Sequence, residues 1–89
     1  MSSPEVVHNV AASRFEAAVG SGLAVCVYRR QGDEVLFTHT EVPPAAQGQG
    51  LAALVVKEAL AWAAREGLRV RPLCSYVAAY LRRHPQPQP

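Results

Sequence analysis

At 89 residues the chain has room for one domain and no second, and it buries only about 60–65% of its unfolded surface, so a homodimer is among the expected assemblies. Hydrophobic residues at 49% and charged residues at 18% exclude a disordered chain. A net charge of +2, spread over scattered arginines, excludes the dense basic stripe that a nucleic-acid backbone requires.

In chain order, Val6 to Asn9 reads as a short first strand. Ser13 to Val19 places Phe15, Ala17 and Val19 at alternate positions, the period of a half-buried strand. Gly20-Ser21-Gly22 breaks that pattern as a turn. Leu23 to Tyr28 is nearly continuous in apolar residues and predicts a central strand covered on both faces. Gln31-Gly32-Asp33 turns the chain again, and Val35 to Val42 forms the next strand, giving an antiparallel meander. Pro43 and Pro44 end it and are expected to bar any helix there. From Gly50 to Glu66 the residues suit a helix, with Lys57, Glu58, Ala61 and Arg65 on one face and Leu51, Leu54, Val55 and Trp62 elsewhere. Gly67 stops it. Leu68 to Pro72 reads as a strand entering the sheet parallel to an earlier one, because a helix separates them. Ser75 to Arg82 reads as a short second helix. Residues 5–85 form the domain and 86–89 a flexible tail of alternating proline and glutamine. The fold class is therefore α/β, in layered α+β form: a mostly antiparallel sheet with a parallel last strand, one long helix and one short one.

Cys26 and Cys74 are too few for a disulfide framework, and with His8, His39 and His84 they lack metal-ligand spacing, so no metal site is expected. The longest apolar stretch, Leu51 to Val56, is far below the roughly 20 residues that cross a bilayer. The chain reads as cytoplasmic, with reduced thiols and no membrane or nucleic-acid partner.

Gln47-Gly48-Gln49-Gly50-Leu51-Ala52 joins a strand to the long helix. Its glycines let backbone approach a ligand, and the free amides at a helix start suit an anion such as a diphosphate. A structural helix entry with no ligand is the plainer alternative. Gly48-x-Gly50-x-x-Ala53 formally fits a dinucleotide fingerprint. However, Val42 to Gln47 is too long for its tight turn, and the following strand ends Arg69-Val70-Arg71-Pro72 without the required acid. No Gly-Lys-Ser/Thr follows, so the loop is not a P-loop either.

Gln47-x-x-Gly50-x-Ala52 resembles the Q/R-x-x-G-x-G/A signature of the GNAT acetyltransferase superfamily. Together with His39-Thr40-Glu41-Val42-Pro43, Pro72-Leu73-Cys74 and Arg83-His84-Pro85, it is similar to the small single-domain GNAT-like proteins, over about Val6 to Pro85. The resemblance implies a coenzyme A cleft between two splayed strands. Its pyrophosphate would lie on the backbone of Gln47, Gly48, Gln49, Gly50, Leu51 and Ala52, and its thioester against the Val42 backbone. It also implies an enzyme, an N-acetyltransferase that carries acetyl from acetyl-CoA to an unidentified amine. A non-catalytic acyl-CoA-binding module or sensor is the alternative, and a small interaction domain a third. Full-length GNAT enzymes carry two helices after their first strand, whereas here Val19-Gly20-Ser21-Gly22 runs straight into the next strand.

Acetyl transfer needs a base, because an amine with a pKa of about 10.4 is protonated at neutral pH. It also needs an oxyanion donor and a proton for the departing thiolate. Glu41, at the end of the Val35 to Val42 strand and sharing a face with His39 and Phe37, is the expected base; a solvated carboxylate is its plain alternative. Tyr80 falls where GNAT enzymes place the tyrosine that protonates the thiolate, and is otherwise a core aromatic beside Tyr76. Arg82 and Arg83 are candidates for a coenzyme phosphate, or solvated residues at a helix end. Cys74 precedes the short helix, whose dipole favours a thiolate, so it is expected in the cleft as the more reactive thiol and a possible acetyl carrier. Cys26, mid-strand, reads as a small buried hydrophobe.

Overall fold

A computed structural model describes residues 4–89. Four strands form the meander: β1 (Val6–Asn9), β2 (Arg14–Val19), β3 (Gly22–Gln31) and β4 (Glu34–Glu41). Two-residue turns join β2 to β3 and β3 to β4. Gly20 and Gly32 take φ of 57° and 58° there, the left-handed region that such hairpins demand and that glycine enters without cost. After β4 come the helix α1 (Leu51–Arg65), the strand β5 (Arg69–Pro72) and the helix α2 (Ser75–Arg83). β5 pairs parallel to β4, and the strand order is β1-β2-β3-β4-β5.

The prolines do not bar every helix. Pro44–Ala46 makes a single 3-10 turn, with the Ala46 amide donating to the Pro43 carbonyl at 2.9 Å. Proline is tolerated in a first helical turn, where its missing N–H has no intrahelical partner to lose.

The core lies on one face of the sheet. Phe15 and Ala17 from β2, Ala24, Cys26 and Tyr28 from β3, and Val35 and Phe37 from β4 meet Val55, Val56, Ala59 and Ala63 of α1 and Val77 of α2. β3 is the central strand, but both helices sit on this one side. The expectation that β3 is covered on both faces therefore holds only in part: Val25 is buried, but Leu23 stays 40% exposed and Val27 half-buried on the face away from the helices. The two-residue turn after Val19 leaves no chain to cover it.

Aromatic rings close the far end of the core. Trp62 packs on Tyr28 and Phe15, and His8 stacks on Phe15 at 4.1 Å while sharing a 2.7 Å hydrogen bond with the Tyr28 hydroxyl. Burial, then the charge of Arg65, holds His8 below its ordinary value. Burial pushes the Cys26 thiol from 9.0 up to about 12, and pushes the Tyr28 hydroxyl up as well. Folding thus keeps these last two groups neutral, and the unfolded chain loses its protons first as pH rises. Stability present below pH 9 should drain away between there and about 12, with Cys26 alone accounting for about 4 kcal/mol at the upper end. Thermal melts from pH 7 to 11 should show a falling Tm, with a shallower fall in Cys26→Ala than in the parent.

Candidate coenzyme and acceptor clefts

α1 opens without a side-chain cap. Gly50 occupies the N-cap at φ 77° and Gly48 precedes it at φ 86°. The helical ladder begins with the Leu54 amide on the Gly50 carbonyl, so the amides of Leu51, Ala52 and Ala53 have no intrahelical partner. No acidic residue stands in this first turn to use up the positive end of the helix dipole. Gln47 anchors the loop to the end of β4, its Nε2 donating to the Val42 carbonyl at 3.3 Å. A Cβ added at Gly48 or Gly50 would meet nothing within 4 Å, so the loop backbone faces open space.

That space is a cleft of about 360 Å³, lined by Val42, Gln47, Gly48, Gly50, Leu51 and Ala52 together with Thr40, Ala46 and Tyr76. Six of the seven residues expected to hold a coenzyme are therefore neighbours here. Gln49 is exposed and outside the lining.

A bulge shapes the cleft's inner end. Tyr28 pairs with Phe37 and Val27 with His39, leaving Thr38 as an extra residue in β4. Phe37 faces the helices. Beyond the bulge Thr40, opposite buried Cys26, faces them too, while His39 and Glu41 point to the open face beside Val27 and Val25. The expectation that Glu41 shares a face with Phe37 thus fails, because the extra residue resets the alternation. β4–β5 pairing also ends at this level, with Phe37 opposite Pro72. The amides of Leu73 and Cys74 both donate to the Phe37 carbonyl, at 3.1 and 2.9 Å, and the chain then turns away into α2. The two strands part at the bulge.

Cys74 sits at this parting, as the N-cap of α2. Its thiol lies 3.6 Å from the Thr40 hydroxyl. Burial pushes the thiol up. The amide of Val77, the Thr40 hydroxyl and the amides of Tyr76 and Thr40 outweigh that, and the thiol lies below its ordinary value. The α2 amides face the sulfur without completing a capping hydrogen bond of full geometry, so their effect is mainly that of oriented dipoles. Cys26, fully buried and pushed up to about 12, has the opposite character. A thiol reagent should therefore modify Cys74 in the folded chain and reach Cys26 only on unfolding, which peptide mass analysis checks. Labelling of Cys26 first would contradict this placement.

The expected catalytic residues do not share one cavity. Glu41, with its side chain 65% exposed, lies 2.8 Å from His39 Nε2, within reach of a hydrogen bond that its carboxylate would accept. It lines a separate groove on the open face with Leu23, Pro43 and Pro44. Thr40, Val42 and Gln47 border both grooves and form the wall between them. The tyrosine of the loop cleft is Tyr76; Tyr80, one turn later, lies in another groove with Lys57 and His84. Sequence reasoning missed Thr40, whose inward aim depends on the bulge, and passed over Tyr76, whose position one turn before Tyr80 was the available signal.

An antiparallel meander, a glycine loop opening a crossover helix, and a parallel strand that parts from its neighbour together define an N-acetyltransferase-type fold. The family model described as GCN5-related N-acetyl-transferase matches residues 14–88, and the chain belongs to that family. Protein NATD1 of Gallus gallus and of Mus musculus are each 36% identical to it over 66 residues, which is 73% of this chain and 60% of the relative. Protein NATD1 of Homo sapiens is 36% identical over the same length, 58% of its own chain. The chain thus spans about three fifths of the relatives it matches.

Proposed function

We propose that the chain is an acetyl-CoA-dependent N-acetyltransferase, with the coenzyme on the helix face and the amine on the open face. The observation that carries this reading is the partner-free amide run at Leu51 to Ala53, opening on a cleft that leads to the parting of β4 and β5. The diphosphate lies on the loop amides, where dipole and N–H groups favour an anion. The pantetheine arm runs beside β4 toward Cys74, and the Val42 amide polarises the thioester carbonyl. Glu41, the one carboxylate lining the open-face groove, takes the proton from the amine. Nitrogen attacks the carbonyl carbon, the C–S bond breaks, and the coenzyme thiolate leaves.

A second route is favoured by the donors around Cys74. Its thiolate attacks the thioester, forming an acetyl-cysteine and releasing the coenzyme thiolate, and the amine then takes the acetyl group from sulfur. Intact-mass analysis after mixing with acetyl-CoA alone separates the routes, since only the covalent one adds an acetyl group to Cys74. The overall reading is tested by thiol release from acetyl-CoA across amines, polyamines and lysine peptides. Acceptor-dependent release supports a transferase. Tight coenzyme binding with no release for any acceptor would leave a binding module instead.

A further inference from the structure

β5 is an edge strand, with β4 as its one partner in the sheet. Its pairing fixes which backbone groups stay free. The Arg69 amide donates to the Asp33 carbonyl at 2.8 Å, and the Leu73 amide to the Phe37 carbonyl at 3.1 Å. In a parallel pair, alternate residues turn both backbone groups toward the same neighbour. Arg69, Arg71 and Leu73 therefore face β4, while Val70 and Pro72 face outward. Proline has no N–H. The outer edge of β5 thus presents a single donor, the Val70 amide.

That donor is taken by the chain itself. The Val70 amide donates to Gln88 Oε1 at 2.8 Å, and the Arg69 guanidinium comes within 3.5 Å of the Pro89 carbonyl. A groove of about 260 Å³ is lined by Ala64, Gly67 and Leu68 on one side and by Pro87, Gln88 and Pro89 on the other. The chain beyond α2 has come back past the end of α1 to lie beside the free edge of β5. Ordering such a segment ordinarily costs more backbone entropy than one hydrogen bond returns. Proline at 85, 87 and 89 lowers that cost, because each ring fixes its own φ and restricts the residue ahead of it before any contact forms.

We propose that residues 85–89 are a latch on β5: Gln88 stands in for a neighbouring strand and, through β5, positions Cys74 at the parting of the strands. β5 is four residues long and runs directly into Leu73 and Cys74, whose amides share the Phe37 carbonyl. Held on both sides, the strand keeps that pair of bonds and with it the N-cap of α2. With the latch released, β5 is left with β4 alone, and Cys74 loosens with it. Gln88 is a positioning residue and lines no part of the loop cleft. The latch acts in the chain without any ligand, so it stands or falls apart from the coenzyme reading.

Hydrogen exchange of the full chain, followed amide by amide by NMR, tests it. In the parent the Val70 amide should exchange well below the rate of an open amide. Gln88→Leu, close in size but without an acceptor, should speed Val70 about fivefold or more, the size of one hydrogen bond. The same variant should speed the Leu73 and Cys74 amides and the thiol labelling of Cys74. Gln88→Glu keeps an acceptor oxygen and should match the parent, which separates the hydrogen bond from simple packing. Amides of β2 and of the middle of α1 should not change in either variant, which separates release of the latch from general destabilisation. A Val70 amide that exchanges as an open one in the parent, or a Gln88→Leu chain that matches the parent, would overturn the latch. So would a faster Val70 with unchanged Leu73 and Cys74, because β5 would then not carry the release to the cleft.

Discussion

Gly50→Val should reduce coenzyme A affinity by about 100-fold or more, the largest loss expected from any single change. Two effects act together. Valine at φ 77° must enter the left-handed region, which costs roughly 1–2 kcal/mol for a residue with a Cβ and more for a branched one. The loop relieves this by turning Gly50 toward ordinary dihedrals, and that rotation swings the amides of Leu51 and Ala52 off the diphosphate. The added Cβ meets no protein atom, so any side chain that stays projects into the space the phosphate would fill. Gly50→Ala should show the first effect with less of the second and fall between. Calorimetry on folded protein, with fold checked by circular dichroism, reads the loss; unchanged affinity for Gly50→Val would remove the loop from the binding site.

Glu41→Gln should lower turnover by about 100-fold while leaving coenzyme affinity as it was, because a positioned base contributes roughly that factor. The carboxylate points to the open face, away from the helix-face cleft, so its loss does not touch the donor. His39→Gln removes the 2.8 Å partner and should lower turnover less, since Glu41 remains in place. The discriminating readout is the split between kcat and the donor KM. Equal loss in both would mean that Glu41 shapes the cleft instead of moving a proton.

The elements were legible because their signals are local. Alternation at Phe15, Ala17 and Val19, glycine at Gly20 and Gly32, and the helix-compatible stretch from Gly50 to Glu66 stopped by Gly67 each mark one element or one boundary. The loop was legible because glycine at Gly48 and Gly50 answers a backbone need that few other residues meet. The bulge at Thr38 was not, because one extra residue in a strand leaves the composition unchanged and shifts only the pairing beyond it. That shift decides which of Thr40 and Glu41 faces Cys74. The choice between Tyr76 and Tyr80 was hidden for a related reason. Both lie on one stripe of α2, and only the packing of α2 beside α1 fixes which tyrosine reaches the loop.

In the proposed function the loop amides and the parting of β4 from β5 form one coenzyme cleft. Amide resonances followed during titration with coenzyme A test it most directly. Gly48, Gly50, Leu51 and Ala52 should shift together with Thr40 and Cys74, in saturable fashion and with one affinity, while β1 and β2 stay still. Shifts confined to the aromatic end around His8 and Trp62, or no saturable shift at the loop, would contradict it.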